Sequence, residues 1–159
     1  CMGDDFSEAL LSAMISPGFK IPRKEKGVML SSGAMKSKVD LLDASRVLAA
    51  KGYNIYATAG TATFLNAHGV NTTPVYWPDE KADAENNVMK MIADHKFDLI
   101  VNIPKNHTKR ELTNGYKIRR GAIDHNIPLI TNARLASAFV NAFCEMDEKD
   151  IQIKPWQEY

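Results

Sequence analysis

The chain has 159 residues, a formal net charge of +1, 45% hydrophobic residues and 25% charged residues. These values are typical of one compact globular domain and exclude a disordered chain. No charge run predicts a nucleic-acid partner, and no apolar run has the roughly 20 residues that cross a bilayer. The two cysteines, Cys1 and Cys144, do not form a disulfide framework, and Asp4 and Asp5 stand where a signal peptide carries basic residues. We therefore expect a cytoplasmic protein with no nucleic-acid or membrane partner.

The first 26 residues predict a helix followed by a linker. Phe6, Leu10 and Met14 share one face of a helix that spans about residues 5–15. A Ser-Pro-Gly sequence ends this helix, and a basic stretch with a proline follows it. We expect this segment to be an appendage to the domain that begins at Gly27.

From Gly27 onward, short apolar runs alternate with helical patterns. Strands are predicted at residues 28–30, 54–57, 70–75, 98–102 and 128–131, and helices at 36–51, 61–68, from Asp83 or Glu85 onward, 116–125 and 133–146. A further edge strand is predicted at 151–153. Repeated β-then-α units predict an α/β fold with a mostly parallel sheet and helices on both faces.

The segment from Tyr53 to Thr63 passes from a strand through a turn of small residues into a helix. Its Thr58-Ala-Gly-Thr sequence brings hydroxyl groups and unpaired helix N–H groups together, and Gly60 lets a ligand approach closely. Such a turn can hold an anion. It can equally be a plain β–α turn in which Thr61 is the N-cap, and both interpretations stay open at this point.

In parallel sheets, ligands bind outside the carboxyl ends of the strands. The residues expected at that edge are Ser31, Ser32, Lys38, Thr58, Gly60, Thr61, Trp77, Asn102, Lys105, Thr131 and Asn132. Hydroxyls, amides and cations beside one aromatic wall suit an oxyanion attached to a flat or apolar body better than they suit a catalyst. Structural roles remain the alternative for three of them: Trp77 as a cap of the core, Asn102 as a loop support and Lys38 as a solvated helix lysine.

The sequence offers few candidates for catalysis. The histidines, His68, His95, His107 and His125, have no matched partner, and there is no zinc spacing, phosphate-binding loop or dinucleotide fingerprint. Cys144 lies in an apolar helical stretch, where a buried and inert thiol is expected. Glu85 alone among the acidic residues is placed where it could approach the pocket. We expect no catalytic residue, metal or cofactor in this domain.

Several stretches taken together resemble the methylglyoxal-synthase-like domain at the C-terminus of the carbamoyl phosphate synthetase large chain. The resemblance covers about residues 27–146 and rests on Gly27–Leu30, the Lys38 helix, Tyr56–Leu65, Asp98–Asn102 and Tyr116–Ile123. It implies a three-layer α/β sandwich with a five-stranded mostly parallel sheet, acting as an allosteric module. Residues 1–26 resemble the end of the preceding ATP-grasp region, and residues 27–159 resemble the regulatory domain.

The resemblance also implies an effector site. The predicted effector-site residues combine positions that match the family with positions expected at the carboxyl edge of the sheet. They are Lys38, Thr58, Gly60, Thr61, Trp77, Asn102, Lys105 and Asn132. The lysine, the two threonines and the glycine match positions that hold an effector's phosphate or carboxylate, and the first asparagine matches a pocket amide. The implied effector is a small anionic metabolite, either a nucleoside monophosphate or an N-acetylglutamate-like compound.

Other positions depart from the patterns of individual relatives. Bacterial relatives controlled by nucleotides carry a lysine at Trp77 and threonines at Ile103 and Pro104, whereas the tryptophan here resembles the urea-cycle synthetase, whose domain binds N-acetylglutamate. Lys105 and Gly115 replace asparagines of that enzyme's pocket. Asn132 replaces a threonine associated with ornithine. The effector, the sign of regulation and the choice between the pyrimidine and arginine pathways therefore stay open.

The parent enzyme implied by the resemblance makes carbamoyl phosphate from bicarbonate and ammonia or glutamine, using ATP and a divalent cation, Mg or Mn. Its expected partners for this domain are the effector, the rest of the large chain and a glutaminase small subunit, and a homo-oligomer is a further expectation. Methylglyoxal synthase shares the fold, so a free-standing lyase acting on dihydroxyacetone phosphate, with Glu85 at the base position, is the alternative. A third interpretation is docking of another protein through Trp156 and Tyr159.

Overall fold

A computed structural model of the chain describes residues 3–105 and 108–146. Its elements in order are α1 (Phe6–Ile15), β1 (Gly27–Ser32), α2 (Met35–Ala50), β2 (Asn54–Thr58), α3 (Ala59–Ala67), β3 (Thr73–Val75), α4 (Val88–Ala93), β4 (Phe97–Ile103), α5 (Lys109–Asp124), β5 (Leu129–Ile130) and α6 (Ala133–Glu145). The strands form one parallel sheet in the order β3-β2-β1-β4-β5. The predicted α/β fold with a five-stranded sheet is confirmed.

The sheet is covered on both faces, which gives the predicted three layers. Val28 and Leu30 of β1 pack with α1, α2, α3 and α6 in one core cluster, whereas Met29 packs with α4 and α5 in the other. Every residue of β1 is buried, as expected for a central strand of a parallel sheet that helices cover on both sides.

The first helix packs on the same core as the rest of the chain. Asp5 caps α1 by accepting a hydrogen bond from the N–H of Glu8 at 2.8 Å, and Leu11 is fully buried in the core cluster that contains α6. The predicted apolar face was wrong in one respect, because Phe6 is 72% exposed. It lies five residues before Leu11 and therefore about 140° around the helix from the buried face.

Three helices, α3, α4 and α5, begin elsewhere than predicted. α3 begins at Ala59 with Thr58 in the N-cap position, so the prediction of Thr61 as N-cap was wrong. α4 begins at Val88, where Asn87 accepts a hydrogen bond from the N–H of Met89. The predicted start of this helix at residue 83 or 85 was wrong, because turns occupy that segment.

α5 begins at Lys109, well before the predicted start at Tyr116. Thr108 is its N-cap and accepts a hydrogen bond from the N–H of Glu111 at 3.4 Å. This Thr-x-x-Glu spacing is a capping-box signal. Asn114 and Gly115, which are poor helix formers, made the segment resemble a loop in the sequence.

None of the helices in residues 3–105 and 108–146 combines the length and the hydropathy that crossing a bilayer requires. The predicted edge strand at 151–153, together with Cys1, His107, Trp156 and Tyr159, lies outside the described residues.

Candidate functional site

A cavity of about 130 Å³ lies at the carboxyl edge of the sheet. The ends of β1 and β4, the first turns of α2 and α3, and the inner face of α5 surround it. The predicted residues that line it are Lys38, Thr58, Gly60, Thr61, Trp77, Asn102 and Lys105, and the further lining residues are Ser31, Ser32, Gly33, Ile103, Pro104, Glu111 and Gly115. The structure therefore brings together every predicted site residue except Asn132.

Two of the helices that begin beside this cavity, α2 and α3, lack side-chain caps. In α1, α4, α5 and α6 the N-cap side chain accepts a hydrogen bond from a backbone N–H of the first turn. In α2 and α3 the N-cap residues, Ala34 and Thr58, make no such bond. Two sets of helix N–H groups, each with the partial positive charge of a helix N-terminus, are therefore left for a ligand at the same edge.

Lys38 adds a full positive charge at this point. Its Nζ would lie 3.5 Å from a Cβ built on Gly60, in the first turn of α3. Among the residues that the structure describes, Lys38 has no salt-bridge partner. A half-buried cation beside the positive end of a helix is unfavourable alone, and an anion bound between them removes that repulsion.

The hydroxyl groups of the cavity divide into two kinds. Thr61 Oγ1 accepts from the N–H of Ser32 and donates to the carbonyl of Ser32, both at 3.0 Å, so it fastens α3 to the end of β1. Thr58 Oγ1 donates to Ser31 Oγ at 3.2 Å. Ser32 Oγ is buried and has no hydrogen-bond partner within the described part of the chain. A buried hydroxyl without a partner is costly, and a ligand in the cavity would provide one.

Asn102 supplies an amide at the end of β4. The residue is 4% exposed, and its Oδ1 accepts a hydrogen bond from Nη1 of Arg119 at 2.8 Å. The opposite side of the amide, Nδ2, makes no hydrogen bond within residues 3–105 and 108–146. It can therefore donate to a ligand.

An ion-pair network holds the wall formed by Trp77. The Arg110 guanidinium donates to Asp79 at 2.7 and 3.2 Å and to Glu80 at 2.9 Å, and its Cζ lies 5.9 Å from the centroid of the Trp77 ring. The hydrogen bond from Arg110 holds the pKa of Asp79 below its ordinary value. These contacts attach the segment after β3 to the start of α5, on one side of the cavity.

Lys105 forms another part of the rim through its backbone. A Cβ built on Gly33 would overlap the Cα and Cβ of Lys105 and lie 2.6 Å from its nitrogen, so only glycine lets the two segments meet. The N–H of Lys105 donates to Oε2 of Glu111 at 3.2 Å. Glu111 is thus part of the frame of the cavity.

Asn132 does not line this cavity. Its Oδ1 accepts from the N–H of Leu135 at 3.0 Å, and it is the N-cap of α6. The residue is exposed. The structure gives Asn132 a structural role as the cap of α6, and the expectation that it binds the effector stays a prediction.

The residues considered for catalysis lie apart from the cavity. The carboxylate of Glu85 is 88% exposed and pairs with Lys90 at 2.5 Å, a hydrogen bond that lowers its pKa. His68 and His125 bond carbonyls of their own helices. Burial raises the pKa of the Cys144 thiol to about 11. Within the described ranges there is no cluster of three or more His, Cys, Asp or Glu side chains that could hold a metal ion.

A larger cavity, about 840 Å³, lies at the opposite edge of the sheet. Its lining includes His95, His125 and Asp98, and Arg23 pairs with Asp98 at 2.8 Å. It lies at the amino end of β4, away from the two uncapped helices. The smaller cavity is therefore the candidate ligand site, because it lies at the edge where open parallel sheets bind ligands.

Some residues of the site were missed at the level of sequence. Glu111 belongs to the first turn of α5, whose start was predicted too late, and the Thr108-x-x-Glu111 spacing is the signal that could have placed it. Arg119 lay within the predicted helix, but nothing in the sequence linked it to Asn102. Gly33 gave no signal of its own, because its partner Lys105 is remote in sequence.

The fold and the cavity together define an α/β domain with a candidate anion site at the carboxyl edge of its sheet. A family model described as MGS-like domain matches residues 40–131, and relatives between 35 and 40% identical cover about nine tenths of the chain or more. The chain belongs to the MGS-like domain family.

The chain matches short regions of much longer proteins. The multifunctional protein CAD of Squalus acanthias is 40% identical over 89% of this chain, and the human mitochondrial carbamoyl-phosphate synthase [ammonia] is 38% identical, also over 89%. The chain spans only 7% and 9% of their lengths. The crystal structure of methylglyoxal synthase from Elizabethkingia anophelis NUHP1 matches with a TM-score of 0.53 at 19% identity, covering 86% of this chain and 99% of that one. It supports the fold alone.

Proposed function

We propose that this chain is the effector-sensing regulatory domain of a carbamoyl phosphate synthetase. The observation that carries the proposal is the position of Lys38, a cation without a salt bridge in the described residues, beside the uncapped first turn of α3. The buried hydroxyl of Ser32 lies in the same cavity without a partner. These groups bind one phosphate or carboxylate, and none of them supplies acid–base chemistry.

The rest of the proposal concerns the parent protein. Occupancy of the site changes the activity of ATP-dependent sites elsewhere in a large chain that uses ATP and Mg or Mn, is cytoplasmic, and works with a glutaminase subunit or domain. Regulation requires that the effector bind two states of the whole enzyme with different affinity. The similarity to CAD favours pyrimidine synthesis, and the similarity to the ammonia-dependent enzyme leaves arginine synthesis as the other pathway. A homo-oligomer formed through this domain is a further part of the proposal.

Calorimetric titration with uridine monophosphate, inosine monophosphate and N-acetylglutamate tests the sensing role. We expect one of them to bind with a dissociation constant in the micromolar to millimolar range, and uridine, which lacks the phosphate, to bind at least tenfold more weakly than its monophosphate if that is the effector. No binding by any of them at millimolar concentration would refute the proposal in this form.

The alternative, a lyase acting on dihydroxyacetone phosphate, requires a carboxylate base in the cavity. Glu85 does not line it, and Glu111 is the only carboxylate among the described lining residues. Its Oε2 already accepts from the N–H of Lys105. We expect no methylglyoxal from dihydroxyacetone phosphate. Formation of methylglyoxal that Glu111→Gln abolished and Glu85→Gln left unchanged would reverse our choice.

A further inference from the structure

The contact between Arg119 and Asn102 determines which atom of the Asn102 amide faces the cavity. Asn102 lies at the end of β4 beside Ser31 of β1 and lines the cavity, whereas Arg119 does not line it. Nη1 of Arg119 approaches Oδ1 of Asn102 at 2.8 Å from the side of α5. The amide therefore stands between the guanidinium and the cavity.

α5 is shaped to let Arg119 reach this position. Gly115 precedes it by one helical turn, and a Cβ built on Gly115 would lie 2.8 Å from Nη1 of Arg119. Side chains in helices point back toward the N-terminus, so an arginine can fold over a glycine four residues earlier. A side chain at residue 115 would push the guanidinium away from this position.

The charge of Arg119 has no carboxylate partner in the part of the chain that the structure describes. Its neighbour Arg120 pairs with Asp124 at 3.0 Å, one turn along the same helix. Arg110, at the start of the helix, pairs with Asp79 and Glu80. The one hydrogen bond of Arg119 to a described side chain is the bond to Asn102. The contact is therefore specific to the amide and does not belong to a wider ion-pair network.

A guanidinium can only donate hydrogen bonds, and this decides the orientation of the amide. With Oδ1 turned toward Arg119, Nδ2 is turned toward the cavity. If the amide were reversed, two donors would face each other. Arg119 thus makes Asn102 a donor toward any ligand.

Most of the other polar groups around the cavity can donate: the N–H groups of α2 and α3, Nζ of Lys38 and the Ser32 hydroxyl. The one carboxylate among the described lining residues, Glu111, already accepts from the N–H of Lys105. We propose that Arg119 is a positioning residue that holds Nδ2 of Asn102 toward the cavity, and that the ligand carries, besides its anionic group, a second group that accepts a hydrogen bond there, such as a carbonyl. This inference rests on the proposed anion site and adds the chemistry of the ligand's other end.

A matched pair of small anions tests the second contact. Pentanoate and 4-oxopentanoate have the same charge and chain length, and only the second has a ketone oxygen that accepts. In titrations followed by NMR chemical shifts, we expect the wild-type chain to bind 4-oxopentanoate about fivefold more tightly, as one neutral hydrogen bond contributes. Inorganic phosphate is the third probe, because it reports the anion site alone.

Four variants test whether Arg119 orients the amide of Asn102 or only supports the fold in general. Arg119→Gln, whose amide can donate or accept, is expected to reduce the preference to less than twofold while phosphate affinity changes by less than twofold. Arg119→Lys, which only donates, is expected to retain the preference. Asn102→Asp keeps the contact with Arg119 but presents an oxygen to the cavity, so it is expected to abolish the preference. Arg120→Gln is the control and is expected to behave as wild type.

The outcomes distinguish the two proposals. A wild-type chain that binds phosphate and both carboxylates without preferring the ketone overturns the inference and leaves the anion site standing. Equal weakening of all probes in Arg119→Gln also overturns it, because it would show a structural or purely electrostatic role. A wild-type chain that binds none of the probes at millimolar concentration overturns the proposed function and this inference with it.

Discussion

At the scale of single residues, Lys38 is the side chain on which anion binding most depends. The charge lies beside the first turn of α3 and, as part of the first turn of α2, beside a second helix N-terminus that contains no acidic residue. Both positions are unfavourable for a cation in the absence of a ligand. We therefore expect Lys38 to reduce the stability of the ligand-free domain slightly and to favour the binding of an anion.

We therefore expect Lys38→Gln to weaken effector or phosphate binding at least tenfold, since a hydrogen bond to a charged group contributes about 1.5–3 kcal/mol. The free energy of unfolding without ligand should stay within about 0.5 kcal/mol of wild type. Titration calorimetry and urea unfolding measure the two quantities. Lys36→Gln, on the same turn but exposed, is the control. Equal loss of affinity in both variants would show that the general positive field, and not Lys38, holds the anion.

At the scale of elements, side-chain caps distinguish the helices whose first N–H groups are satisfied within the fold from two helices beside the cavity whose first N–H groups are not. α6 carries a side-chain cap from Asn132, whereas α2 and α3 keep their first N–H groups uncapped at the cavity. The same chemical groups thus stabilise the fold at one helix and remain for a ligand at two others.

Asn132→Ala tests this division. It removes the acceptor for the N–H of Leu135, so the free energy of unfolding should fall by about 0.5–2 kcal/mol while anion affinity stays unchanged. Asn132→Ser, which can still cap, should recover most of the stability. If the alanine variant kept wild-type stability and lost affinity instead, Asn132 would belong to the ligand site after all.

At the scale of the whole molecule, one ion pair attaches the first 26 residues to the sheet. Arg23 donates to Asp98 through Nε, through Nη2 and through its backbone N–H. Partial burial by itself raises the pKa of Asp98, but the hydrogen bonds and the charge of Arg23 outweigh it and leave the pKa below its ordinary value. The pair therefore stabilises the folded state only while Asp98 is ionised.

The sign of the pH dependence follows from this lowered pKa. The contribution is fully present above the ordinary aspartate pKa of about 3.9 and is lost as the pH falls through the lower value of the folded state. Because the pair is partly exposed, we expect Asp98→Asn to cost no more than about 1 kcal/mol at pH 7, and less at pH 3. Urea unfolding at the two pH values measures this. Asp43→Asn, whose carboxylate is 91% exposed, should show almost no effect, and a cost for Asp98→Asn that did not shrink at pH 3 would contradict the assignment.

The sequence sufficed for the parallel fold and for most of the site because each depends on local signals. Alternating apolar runs locate the strands, and the polar residues that follow them meet at one edge once the sheet is parallel. Three of the errors and omissions concern information that is not local. The exposure of Phe6 depends on how α1 lies on α6, the role of Gly33 on the approach of Lys105, and the role of Arg119 on the path that Gly115 leaves open.

The site is built from chain segments that are far apart in sequence: the end of β1, the starts of α2 and α3, the segment at Trp77, the end of β4 and α5. In the unfolded chain these segments are separate, so the ligand has nothing to bind, and its binding energy adds to the stability of the fold. A ligand at a hundred times its dissociation constant would add about 2.7 kcal/mol. Because proteases cleave unfolded chains, the lifetime of this domain in a cell should lengthen when the metabolite is abundant. The amount of the protein would then rise with the concentration of the metabolite.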